Sequence, residues 1–181
     1  MPAIRPCQLP ADALLSRYAG SGAYADCYVA DIAKSISHAE FVEAFYTTSV
    51  FKLERWLLRT LAARPSTDAQ ARQLALGEIA SFAAWSVEGR TPSQLLLSDF
   101  TGRTKSWLMV AAPIDASSTH TRLFFGSAVV ATRSTRTGRA RLGFAFKALL
   151  GFHKLYSQVL LRAALSRLCR QTAGNVHHSD A

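Results

Sequence analysis

Four stretches between residues 81 and 131 constrain the fold most: "SFAAWSVE" closed by "GRTP", "QLLLSDF" closed by "TGR", "TKSWLMVAA", and "HTRLFFGSAVVA". A strand sends successive side chains to opposite faces. Ser106, Leu108 and Val110 therefore share one face of the third stretch, and Trp107, Met109 and Ala111 the other. In the fourth, Thr121, Leu123, Phe125, Ser127 and Val129 oppose Arg122, Phe124, Gly126, Ala128 and Val130. Loops of about three to eight residues are too short for the crossover that parallel pairing needs. A consecutive antiparallel meander is expected.

Upstream, "YADCYVAD" (24–31) reads as a fifth strand with one wetter face. Residues 1–23 read as a loose lead-in, with a short apolar patch (Leu14, Leu15, Tyr18) and a "GSG" turn. Three helices are expected between this strand and the meander. Ser37 with Glu40 makes a capping box, and Ile36 is placed to staple onto Phe41. Val50, Leu53, Leu57 and Leu61 form one stripe over 50–63, which stops before Pro65. Thr67 with Gln70 is a second box, opening a short helix that Gly77 closes.

After a polar basic loop at 132–140, one long helix is expected over 141–171. At 100° per residue, Leu142, Phe146, Leu149, His153, Tyr156 and Leu160 fall on one side. Lys147, Gly151, Lys154, Gln158 and Arg162 fall on the other. His153 thus points inward among aromatics. Gly143 and Gly151 each weaken the helix by about 1 kcal/mol relative to alanine, which suggests close packing or a slight bend.

A chain of 181 residues, 49% of them apolar, suffices for one domain with a real core, read as 24–172 with a disordered tail at 173–181. The start "MPAIRPCQLP" has no long apolar run and is not expected to be a secretory signal. Lys147, Lys154 and Arg162 interrupt the most apolar stretch, short of the ~18 uncharged apolar residues of a membrane span. Cys7, Cys27 and Cys169 are odd in number, far apart and without a C-x-x-C pairing, which suits a reducing cytoplasm. His38, His120, His153, His177 and His178 lack the paired spacings of a zinc site, so no metal or cofactor is expected.

The net charge of +9 is a property of the C-terminal part. Arg133 to Arg170 holds nine Lys or Arg and no Asp or Glu, whereas residues 1–132 hold twelve basic and eleven acidic residues. Such a cluster suits nucleic acid, an anionic membrane face or an acidic partner. The plain alternative is the solvated face of a long helix. No G-x-S-x-G, G-x-x-x-x-G-K-[ST], G-x-G-x-x-G or H-E-x-x-H motif occurs, which removes the main sequence support for hydrolase, nucleotide-dependent and zincin readings.

An order of strand, helices, antiparallel meander and long final helix describes an α+β domain with the last helix across one face of a curved sheet. This order, with "QLLLSDFTGRTKSWLMV", "TRLFFGSAVV" and "LGFAFKALLGFHKLYSQVLLRAA", resembles the helix-grip superfamily of START lipid-transfer domains and polyketide cyclases (SRPBCC). Within it the likeness is nearest to uncharacterised bacterial domains whose last helix carries a histidine followed by an aromatic. The resemblance covers about residues 24–170 and implies a cavity between sheet and C-terminal helix that takes an apolar small molecule. Helix-grip sheets have six or seven strands, against the five legible here.

The residues expected at that cavity are Trp85, Asp99, Trp107, Arg122, Phe146, His153 and Tyr156. A pocket histidine orients a ligand or moves a proton, although a lone histidine on an apolar face is more commonly a bonded core group. Asp99 is either a partner for His153 or a turn aspartate. Arg122 anchors a carboxylate or lies at the rim, and Trp85 and Trp107 stack a ligand or build the core. Three functions follow. The first is a cytoplasmic binding domain for an apolar or aromatic metabolite. The second is an enzyme of the same fold (cyclase, dehydratase or hydrolase-like) with His153 as acid or base and Asp99 or Tyr156 orienting it. The third is an interaction module using Arg133 to Arg170.

Overall fold

The structure, a computed structural model, describes residues 2–19, 23–53, 66–111, 120–130 and 144–175, with side chains described outside 144–154 and 171–175. Two short elements precede the first long strand: β1 (Arg5–Pro6) and α1 (Ser16–Ala19). Then come β2 (Tyr24–Ile32), α2 (His38–Tyr46), a helical turn at 49–53 and α3 (Asp68–Leu76). The rest is β3 (Ser81–Phe82), β4 (Trp85–Thr91), β5 (Gln94–Asp99), β6 (Thr104–Ala111), β7 (Thr121–Val129) and α4 (Phe144–Asn175).

Every strand pairs antiparallel in one open seven-stranded sheet, in the order β1-β2-β7-β6-β5-β4-β3. β3 to β7 are the expected meander, and β2 closes onto β7 from Tyr24↔Val129 to Ile32↔Thr121. The sheet has two strands more than were legible in the sequence, because β1 and β3 are two residues long and carry no periodicity. "SFAAWSVE" is not one strand. The chain turns at Ala83, which adopts φ +54°, and β4 runs on through Gly89 and Arg90 after a bulge between Val87 and Gly89.

Both capping boxes form. Ser37 accepts from the Glu40 N–H (3.2 Å) while Glu40 accepts from the Ser37 N–H (2.8 Å). Thr67 and Gln70 do the same at α3, and Gly77 ends that helix at φ +83°, the left-handed region open to glycine. Arg90 adds a second stop, donating to the Leu74 carbonyl at 2.6 Å. Residues 49–53 are helical as expected of the 50–63 helix, whose remainder lies outside the described residues, as do the loop at 132–140 and the tail histidines His177 and His178.

The sheet has a core on each face. Leu95, Leu97, Leu108, Leu123 and Phe125 meet α2 and α3 and the stripe Leu160, Leu161, Ala164, Leu165 and Leu168 of α4. Arg162 of α4 is exposed on the side away from that stripe, and Gln158 is exposed while its side chain hydrogen-bonds with Tyr28 of β2. Arg167 reaches across to donate to the carbonyl of Thr47 (3.3 Å), the C-cap of α2.

On the other face, Leu96, Trp107, Met109, Phe124 and Ala128 are covered by Ala13 and Leu15. The segment expected as a loose lead-in is therefore core-forming at residues 13–15. Its anchor is polar as well as apolar: Gln94 accepts from the Leu14 N–H and the Trp107 indole N–H (both 2.9 Å) and donates to the Asp12 carbonyl (3.1 Å). Beside it the buried Lys105 donates to Glu88 (2.7 Å) and Ser98 (2.9 Å) and lies 4.9 Å from the Tyr18 ring centroid, while the Tyr18 hydroxyl donates to Glu88. Desolvation opposes the charge on Glu88 most strongly, yet the hydrogen bonds from Lys105 and Tyr18 outweigh it and hold its pKa below the ordinary value.

Candidate functional site

On the helical face, a cavity of about 500 Å³ lies between the sheet, the chain leaving α2, and α4. Its apolar walls follow from register. Phe125 of β7 and Phe45 of α2 meet with ring centroids 4.7 Å apart. Phe51 adds the next ring, at 4.8 Å from Tyr46 and stacked on Phe82 at 6.1 Å. Trp85 opens β4 on one side, and Tyr156, Ser157 and Leu160 of α4 close the other.

A polar row runs from β2 to the floor of the cavity, which it reaches at Ser127 and Ser106. Asp26, Ser127 and Ser106 are successive register partners on β2, β7 and β6. Asp26 accepts from both the hydroxyl (2.5 Å) and the N–H (3.2 Å) of Ser127. The Ser106 hydroxyl is 3.1 Å from the Tyr46 hydroxyl. Burial raises the Tyr24 phenol well above its ordinary pKa, with the Asp26 charge adding to it. Tyr28 rises by burial too, against a hydrogen bond with Gln158. Both phenols stay protonated and act as donors near neutral pH.

The residues singled out in the sequence scatter. Trp85, Asp99 and Tyr156 line the cavity. Asp99 does so with its carboxylate committed to the turn: Oδ1 accepts from the N–H of Arg103 (2.8 Å) and Thr104 (3.1 Å), and Oδ2 from the Thr101 hydroxyl (2.7 Å). It is the turn aspartate of the plain reading. Trp107 is a correction, since alternation along β6 puts it in the second core, on the far side of the sheet, bonded to Gln94. Arg122 is another. It shares the far face with Phe124 and pairs with Asp31 at 2.7 Å, which Arg5 also reaches at 2.7 Å. The Arg122 hydrogen bond holds Asp31 below its ordinary pKa. The side chains of Phe146 and His153 lie outside the described residues, although both positions are helical.

Sequence reasoning missed Phe45, Phe51 and Ser157 as cavity walls. Ser106 and Ser127 carried a usable signal, since each is a hydroxyl on a mostly apolar strand face, and the two meet when β6 and β7 pair. Trp85 has a further property. Its indole N–H is buried and meets no acceptor among the described residues, a deficit of about 1–3 kcal/mol for a group so placed.

Among the described residues, no three His, Cys, Asp or Glu are grouped to hold a metal ion, and no helix is long and apolar enough to cross a membrane. Compared with protein-family models, curated proteins and solved structures, the chain matches none.

Proposed function

We propose that this chain is a binding domain of helix-grip type that holds a small apolar or aromatic molecule between its sheet and its C-terminal helix. The cavity carries the reading. Its volume of about 500 Å³ falls in the range of ordinary small-molecule sites, about 300–1,000 Å³, which are mostly apolar walls with a few placed polar groups. Here Phe45, Phe51, Phe125 and Leu160 are the apolar walls, and Ser106, Ser127 and Ser157 add polar groups to the lining. The chain order of strand, helices, antiparallel meander and final helix, on which the helix-grip resemblance rests, supports the reading.

A naphthalene-based fluorescent dye tests this. Ser157 is buried on the cavity wall, and Ser157→Phe puts a ring into that space. Saturable binding of one dye per chain is expected, weakened about tenfold or more in the Ser157→Phe protein, the equivalent of at least ~1.4 kcal/mol. Thermal unfolding of both proteins confirms that the variant is folded. Equal dye affinity in two folded proteins sinks the reading.

A further inference from the structure

We propose that Cys7 and Cys27 form a peroxide-oxidisable dithiol site, whose disulfide fastens the N-terminal segment to the sheet face opposite the cavity. Three observations place the pair. β1 pairs with β2 in the register Arg5↔Val29 and Pro6↔Tyr28, which continues to Cys7 opposite Cys27. The Cys7 N–H donates to the Cys27 carbonyl at 3.0 Å, so the two backbones are held together at this point. The sulfurs are 3.0 Å apart, with the Cys7 thiol directed at Cys27. Facing residues of a hydrogen-bonded antiparallel pair lie about 5.5 Å apart at Cα, inside the range of about 4.4–6.8 Å that disulfides occupy. Closing the bond needs side-chain rotation and no rearrangement of strands.

The two thiols differ in access. Cys7 is half-buried and Cys27 buried, so hydrogen peroxide meets Cys7 first. Burial pushes the Cys27 thiol up, and Cys7 beside it adds to the rise, which keeps Cys27 protonated until its partner is activated. In the first step the Cys7 sulfur attacks peroxide: an S–O bond forms, the O–O bond breaks, and the departing hydroxide leaves as water with the proton of Cys7. In the second, the Cys27 sulfur attacks the Cys7 sulfenic sulfur. The S–S bond forms, the S–O bond breaks, and hydroxide leaves as a second water with the proton of Cys27. Peroxide takes up the two electrons that the thiols lose.

The bond would close the loop that carries Ala13 and Leu15 over the second core. Cys169 is exposed on α4 and takes no part. The site is independent of any ligand on the other face of the sheet.

The test uses the full chain carrying Cys169→Ser, treated with a small excess of hydrogen peroxide and then alkylated. The expected result is an intact mass lower by two hydrogens, a cross-linked peptide joining Cys7 and Cys27, and full recovery of both thiols with dithiothreitol. The oxidised protein should also unfold at higher urea concentration than the reduced one. In a Cys27→Ala variant, which tests the order of attack without needing the bond, dimedone should label Cys7 after peroxide. Two freely alkylated thiols after treatment, or Cys7 carried to the sulfinic acid without a cross-link, would overturn the proposal.

Discussion

Leu15→Ala is expected to lower the free energy of unfolding by about 3 kcal/mol, in the range for truncating a fully buried leucine. That loss is large for a residue in a segment whose sequence reads as a lead-in. Leu15 is pressed against β7 at its glycine. A Cβ placed on Gly126 would come within 2.8 Å of Leu15 Cδ2, 2.9 Å of Trp107 Cε3 and 3.0 Å of the Asp26 carbonyl oxygen. Gly126 is therefore fixed by close approach and not by backbone angle. Gly126→Ala forces three neighbours apart, at a cost of roughly 1–3 kcal/mol. Leu15→Ala frees one of those contacts and leaves Trp107 and the Asp26 backbone in place. Urea unfolding of both single variants and the double variant should show a double loss smaller than the sum. A Leu15→Ala protein within about 0.5 kcal/mol of the parent contradicts the second core as described.

His38 should make the protein acid-sensitive well above the carboxylate range. It is the first residue of α2, where the helix N-terminus disfavours a positive charge. Its Nε2 is buried without a partner among the described residues. Burial lowers its pKa from 6.5 to about 4, with the Arg90 charge adding to the shift and a hydrogen bond with the Leu108 backbone opposing it. Between those two values the unfolded chain binds the proton and the folded chain does not, so stability rises with pH. The contribution is complete above pH 6.5 and is lost as pH falls towards 4. The full shift corresponds to about 3 kcal/mol, of which about 2 kcal/mol should be gone by pH 5. Glu40 and Glu88 also titrate below their ordinary values, so their losses begin at lower pH. The difference in unfolding free energy between pH 7.5 and pH 5, compared with that of His38→Gln, isolates the histidine. Parallel profiles for the two proteins contradict this assignment.

The meander, the strand at 24–31, both capped helices and the long last helix were legible, because period-2 alternation and capping chemistry are local signals. β1 and β3 were not, since two residues hold no period. The burial of Leu15 was not either. It depends on Gly126 and Trp107, more than ninety positions away, and on an Asp12–Leu14 clasp by Gln94 that no local pattern records. Cys7 and Cys27 look unrelated in a list of spacings because the C-x-x-C test asks about neighbours along the chain, whereas a strand pair makes neighbours across it.

The candidate site shows the same division. Face assignment by alternation was right for Ser106, Ser127 and Phe125, and it already separated Trp107 and Arg122 from them. Naming those two as ligand contacts weighed residue type above the face each one occupies. Tyr156 and Leu160 were placed by the helical period. Phe45 of α2 and Phe51 of the helical turn at 49–53 reach the cavity through packing that follows from tertiary geometry alone.

The Trp85 indole N–H gives the most direct test of the central claim, that the cavity is a binding site. In a ¹H–¹⁵N spectrum, with its signal assigned by Trp85→Phe, titration with 2-acetylnaphthalene offers an aromatic body and one carbonyl oxygen. The account predicts a saturable shift of the Trp85 N–H, with the Trp107 N–H, bonded to Gln94 on the far face, left in place. A Trp85 signal that does not move at concentrations near the solubility of the ketone, or a Trp107 signal that moves with it, would contradict the account.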